Sequence, residues 1–356
     1  MKINIFRSEN KIEWDSFIKK TGGLLLNNVY QLPDYLDLYK NKNSIPEAFA
    51  LEYEKNFFYI SYLKREINKK ILDSFYDFET AYGYSGPITN SKDKEFLNLA
   101  WKNFFDYCKN NKILAGFIRF NPLLENHLIS SQQYLEVKYE KDIVIKSIKE
   151  NEKINLNDYS PDVRNKINKA NKNGIFSQVS SNIESINEFK KIYVRLMKEK
   201  KTEDYYFFSD NYFLKIYKNL KNNFFIILAK REEQVIGGAL VLTMGDHAIL
   251  HLSATLKKFS NLGIASFLRH EVIKTCFEME IKKINFGGGL TPEHNDSLLK
   301  FKKGFSKEIK KYFIGKFVSN EKMYKEACSI WDKNYKKNNL KYSKYFLKYN
   351  YIKNIC

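Results

Sequence analysis

The sequence predicts an α/β protein built as two similar lobes, each a mixed, mostly antiparallel sheet with helices on it, followed by a helical tail. Three observations carry this. The 356 residues are enough chain for about two domains. One order of elements (helix, strands, glycine turn, helix, strand) occurs twice, and antiparallel strands feeding a helix that returns to a further strand make a mixed sheet. No solenoid period and no Pro-rich or Gly/Ser-rich linker breaks the pattern. The lobes are expected at 1–150 and 151–318, leaving a cleft between them, with 319–356 as a basic helical tail packing back on one lobe.

In the first lobe, Trp14 to Lys19 and Leu32 to Tyr39 read as short helices. Glu47 to Glu54 and Phe57 to Lys64 read as strands paired around a turn at Lys55-Asn56. Phe96 to Asn110 has the spacing of an amphipathic helix, and Ile113 to Phe120 is a buried strand. In the second lobe, Pro161 to Asn173 is a helix with Ser160 as N-cap, proline in its first position and Gly174 closing it. A long helix follows at Ile186 to Glu199, then strands at Phe224 to Lys230, Val235 to Met244 and Ala248 to Thr255. The lobe ends with a helix from Gly263 to Met279, a short strand at Lys283 to Phe286, a helix from Asp296 to Gly304 and a strand from Ile309 to Phe317.

Composition excludes several classes. With 44% apolar and 16% aromatic residues the chain is not disordered. No apolar run approaches the ~18 residues of a membrane helix, and the charged N-terminal stretch has no signal-peptide core, so a cytoplasmic protein is expected. The four cysteines form no CxxC, and the five histidines show no HExxH motif, so neither disulfides nor a metal is expected. The formal charge is +19, but only seven of the 60 basic residues are Arg, the cation that purpose-built phosphate sites favour. Abundant Asn, Ile, Tyr and Phe fit a codon-biased surface as the source of much of that charge. Lys300 to Cys356 nonetheless holds 16 Lys and four acids, a net +12 that would draw an anionic partner or the inner face of a membrane.

Five segments carry candidate chemistry. Tyr82-Gly83-Tyr84-Ser85-Gly86-Pro87 is a tight turn flanked by rings, suited to gripping a sugar or peptide through Tyr82 and Tyr84, or to simple packing. Gly263-Ile264-Ala265 opens a helix and could let backbone amides approach the phosphates of a cofactor. Gly287-Gly288-Gly289 ends a strand, allowing a ligand near Gly288 and Gly289. The helix that follows bears Lys300, Lys302 and Lys303, and an ammonium aimed into a cleft stabilises an oxyanion. Val163 to Lys172 spaces its cations along a helix, either as a clamp or as a solvated face. His251, Ser253 and Thr255 share one face of a strand.

These pieces, with Arg119 to Pro122 and Tyr205-Tyr206-Phe207-Phe208, resemble in their order the FemAB-like branch of the GNAT superfamily. That branch includes peptidoglycan bridge aminoacyltransferases and acyltransferases of bacterial surface-polysaccharide clusters. The resemblance implies two tandem GNAT-like lobes, no metal, and transfer of an acyl or aminoacyl group from an activated carrier to an amine or hydroxyl. It implies that Lys302 holds the tetrahedral oxyanion, that Arg164 and Lys169 face acceptor phosphates, and that no cofactor is tightly bound, acyl-CoA being the co-substrate. His251 or Asp296 would assist proton removal. Two departures stand out: Asn90 occupies a position where the bridge-forming ligases often carry Asp, and no coiled-coil arm interrupts the second lobe. The expected function is transfer from acyl-CoA to an amino or hydroxyl group of a nucleotide- or lipid-linked sugar precursor of surface polysaccharide. The alternative is a tRNA-dependent aminoacyltransferase of peptidoglycan cross-bridge synthesis, using the basic end for RNA phosphates. A basic nucleic-acid-binding or membrane-surface protein without chemistry is the third class.

Overall fold

In a computed structural model, residues 1–149, 154–200, 207–291, 293 and 295–352 are described. The chain runs β1 (Lys2–Arg7), α1 (Lys11–Lys20), α2 (Gly23–Leu26), α3 (Pro33–Leu36), β2 (Ser44–Tyr53), β3 (Asn56–Glu66), β4 (Tyr76–Glu79), β5 (Ile88–Thr89), α4 (Lys94–Asn110), β6 (Ile113–Arg119) and β7 (Leu135–Ser147). It continues through α5 (Pro161–Lys172), β8 (Ile175–Ser180), α6 (Ile183–Lys200), α7 (Asp210–Lys215), β9 (Phe224–Arg231), β10 (Gln234–Met244) and β11 (His247–Thr255). Then come α8 (Ile264–Glu278), β12 (Lys283–Gly288), α9 (Ser297–Lys303), β13 (Ile309–Val318) and α10 (Glu321–Asn334). The architecture is mixed α/β, as expected.

The chain divides into two compact units: Met1–Leu25, Tyr30–Glu140 and Tyr312–Cys356 form one, and Leu26–Val29 with Lys141–Lys311 form the other. These boundaries differ from the expected ones at 150 and 318. The last strand does not close the second lobe, because β13 pairs antiparallel with β6, Ile314 opposite Arg119 through Val318 opposite Ala115.

In the first unit the strands order β1-β2-β3-β4-β6-β13, with β5 on β3, and only β4–β6 is parallel. Asp93 caps α4 by accepting the Glu95 N–H at 3.0 Å. Its apolar stripe, Phe96, Ala100, Trp101, Phe104 and Cys108, packs on Phe49, Phe58, Tyr62 and Phe78 of the sheet. The other core cluster of this unit joins Trp331 of α10 and Tyr349 to Ile67, Leu114 and Ala115. The C-terminal residues therefore build the first unit.

In the second unit the order is β7-β12-β11-β10-β9-β8. β12 runs parallel to β11 and the other pairs are antiparallel. Ser160 caps α5 as expected, and Gly174 takes a left-handed φ of +67° just past its end. Val163, Ile167 and Ala170 of α5 join Ile264, Phe267, Leu268 and Val272 of α8 in one core with Ile227, Ala239 and Val241.

Candidate active site

One feature of the second sheet makes room for a site. β11 pairs with β12 only over His247–Ile249, opposite Lys283–Asn285, although β11 continues to Thr255. Beyond Ile249 the two strands part. A cavity of about 530 Å³ opens there, walled by Leu250 to Thr255 of β11 except Leu252, by Ala265 and Arg269 of α8, by Phe286, by Phe301 and Lys302 of α9, and by the end of α6. That volume is in the range that holds a small ligand.

Lys302 is the one of the three α9 lysines that is buried, at 8% exposure. Its Nζ donates to the Gly288 carbonyl at 2.7 Å. The expected glycine run now has a physical reason. A Cβ at Gly288 would sit 2.6 Å from the Asp142 carbonyl, and one at Gly289 would sit 2.5 Å from Asp296 Oδ1. Burial, with Arg269 and Lys141 nearby, lowers the Lys302 pKa from the usual lysine range to about 7 against a weaker opposing pull from Asp296. Lys302 therefore exchanges a proton near neutrality.

Asp296 caps α9. Its Oδ1 accepts the Leu299 N–H at 2.8 Å, and its Oδ2 accepts the N–H groups of Leu290 at 3.0 Å and Thr291 at 3.1 Å. Those bonds hold its carboxyl below the usual range. His251 lies in the cavity wall at 9% exposure, with its Nε2 2.6 Å from the Tyr212 hydroxyl, and burial drops its pKa to about 3. Of the two residues expected to assist proton removal, Asp296 is engaged with the backbone at the start of α9 and His251 is desolvated in the cavity wall.

The cradle at Gly263-Ile264-Ala265 divides. Ala265 lines the cavity, whereas Ile264 is a core residue at 1% exposure. Gly263, at φ +77°, is required by the Lys166 carbonyl, which a Cβ would meet at 2.3 Å. The glycine signal thus reports close packing of α5 on the start of α8. Arg164 and Lys169 lie on the outer face of α5, Arg164 bonding Asn157 Oδ1 at 3.1 Å, and neither lines the cavity.

Tyr82 and Tyr84 belong to the first unit. The Tyr35 hydroxyl donates to the Tyr82 carbonyl at 2.5 Å, and Tyr84 meets the Tyr312 ring edge-on at 5.2 Å. Gln31 Nε2 and Asn126 Nδ2 tie the loop down through Ser85, Gly86 and Pro87. Asn90 is engaged structurally, accepting the Phe57 N–H and donating to the Lys55 carbonyl, each at 2.8 Å. Phe207 and Phe208 are described, whereas Tyr205 and Tyr206 lie outside the described residues.

Sequence reading missed Arg269, a cavity wall residue only 7% exposed. The signal was an arginine four residues after Ala265 on a helix that is apolar nearly all round, which places a charge on a packed face. No group of three His, Cys, Asp or Glu among the described residues is arranged to hold a metal. None of the described helices is long and apolar enough to cross a membrane.

Residues 230–327 match the FemAB family, a stretch that includes β11, α8, β12 and α9 and hence most of the cavity wall. That match accords with the FemAB-like resemblance read from the sequence. Among solved structures the chain is similar to FemX, at 15% identity and a TM-score of 0.65 over 91% of this chain and 99% of that one. It is also similar to L-PGS from Bacillus licheniformis, at 12% identity and a TM-score of 0.56 over 89% of this chain and 94% of that one. A third likeness is to the C-terminal domain of a protein assigned as a lysylphosphatidylglycerol synthetase from Agrobacterium fabrum, at 12% identity and a TM-score of 0.55 over 92% of this chain and 98% of that one. No curated protein matches the sequence.

Proposed function

We propose that this protein is an aminoacyltransferase that moves an aminoacyl group from aminoacyl-tRNA to an amine on a lipid-linked peptidoglycan precursor. The observation that carries the reading is the buried Lys302 at the parting of β11 and β12, inside the segment that matches the FemAB family. The likeness to FemX, to L-PGS and to a domain assigned to a lysylphosphatidylglycerol synthetase supports it over transfer from acyl-CoA to a sugar, which the sequence alone put first.

In the reaction the acceptor amine attacks the ester carbonyl of the donor. The C–N bond forms, the C–O bond to the tRNA 3′ oxygen breaks, and the proton shed by the amine ends on that oxygen. The Lys302 ammonium donates to the tetrahedral oxyanion and, with a pKa near neutrality, suits the proton relay. The basic C-terminal stretch supplies attraction to RNA phosphates and to an anionic membrane holding the lipid-linked acceptor.

The test is an assay of the full chain with aminoacyl-tRNA and a lipid-linked muropeptide, run beside acetyl-CoA with UDP-amino sugars. Labelled aminoacyl product is expected from the first pair and none from the second. K302M should lower kcat/KM by about 10²–10³-fold, the cost of removing one oxyanion donor, with an unchanged circular dichroism spectrum. Product from the acyl-CoA pair alone would reverse the assignment.

A further inference from the structure

Arg269 has a surplus of unused donors. Its guanidinium lies over the Phe301 ring, 4.6 Å from the centroid, which fixes its plane. Nη1 donates to the Ala265 carbonyl at 3.2 Å, while Nε, buried, has no partner among the described residues. No carboxylate among the described residues forms an ion pair with Arg269 or with Lys302 beside it. An arginine nine-tenths buried without a counter-charge is costly to keep. Among the described residues the rest of the wall adds Lys200 and Lys257 and a single carboxylate, Glu199, which pairs with Arg195 at 2.9 Å. The cavity as a whole is built for negative charge.

The arginine stands one helical turn beyond Ala265 and shares the cavity with Lys302. A guanidinium binds a carboxylate or phosphate through two parallel hydrogen bonds. The excess of cations favours the more highly charged of these. We propose that Arg269 seats a phosphate group of the donor's carrier while Lys302 takes the reacting carbonyl, an inference that rests on the transfer reaction above for the identity of the donor. Two carriers hold an acyl group and a phosphate in one molecule: the 3′ end of an acylated tRNA, where they share one nucleotide, and an acyl thioester of coenzyme A, where the pantetheine arm separates them.

Titration calorimetry on the full chain separates them, using an uncharged RNA minihelix ending in CCA, coenzyme A, and adenosine as a probe without phosphate. The minihelix is expected to bind the wild type. R269M should weaken that binding at least tenfold, with R269K intermediate because it keeps the charge and loses the fork, and adenosine should respond to neither change. R269M keeps the stem on Phe301 and removes an unpaired buried charge, so its melting temperature should equal or exceed that of the wild type; an arginine kept for packing would lower it. Minihelix binding that is unchanged in both variants overturns the proposal, as does failure of both phosphate probes to bind the wild type. If coenzyme A shows the Arg269 dependence and the minihelix does not, the phosphate seat stands and the tRNA reading falls. If tRNA-dependent transfer is observed with Arg269-independent binding, the function stands and the seat falls.

Discussion

Lys302 and Arg269 are both buried cations, yet only one was legible in the sequence. Lys302 follows a glycine run and a cap, a pattern that places a side chain against a strand end. Arg269 sits alone in an apolar helix, where a long side chain ordinarily snorkels to solvent. Its burial arises from the packing of α8 between sheet and α9, which spacing does not encode. The pKa of Lys302 makes its role testable. The ammonium is the form that donates to an oxyanion, and it loses its proton as pH rises through about 7. The ratio of wild-type to K302R kcat/KM, in which the acceptor's own ionisation cancels, should therefore fall across that pH. A flat ratio from pH 6 to 9 would refute the ammonium role. The surroundings of His251 and Asp296 were not legible for one reason: desolvation and backbone hydrogen bonds are tertiary facts, and residue type alone carries neither.

At the scale of elements, the interior strands and the long helices follow their periodicity closely. β9, β10 and β11 are apolar runs and were placed within a residue or two. The strands that escaped notice include β1 and β8, which end the order in their units and turn polar side chains outward. Glycines mark a second kind of ambiguity, since a turn that admits a ligand and a turn that admits a neighbouring backbone look alike. Gly263 and Gly174 separate the two cases. Both have φ near +70°, but nothing lies within 4 Å of a Cβ at Gly174. G174A should cost ~1 kcal/mol, the left-handed penalty alone. G263A adds a clash with Lys166 and should cost ~3 kcal/mol. Urea midpoints measure the difference, and equal shifts would show that α5 does not press on Gly263.

At the scale of the whole chain, the C-terminal stretch, expected from its sequence to pack back on one lobe, is part of the first unit's core. Trp331 is fully buried, and its Nε1 donates to the Tyr351 carbonyl at 2.9 Å. Asn350 bonds Asp77 Oδ2 at 2.6 Å, joining a buried set in which Arg65 bridges Asp77 and Glu79, and Arg119 also pairs with Glu79. W331A should cost the first unit ~3–5 kcal/mol. The remaining two tryptophans, Trp14 and Trp101, are in the same unit, so their fluorescence should report an earlier urea transition. An unchanged midpoint would mean that the tail is dispensable.

The first unit is interrupted: residues 141–311 of the second lie between its two main stretches. On a translating ribosome, strand β6 therefore emerges well before β13, the partner it pairs with, and before Trp331. At ordinary elongation speeds that interval is roughly 10–30 s, long compared with the folding of a small domain. The inserted unit has all of its strands in hand first and can fold while its host waits. The nascent host spends that time with the Leu114–Ala115 surface uncovered, which makes it the natural client of a chaperone and the part of the molecule most at risk of aggregation during synthesis.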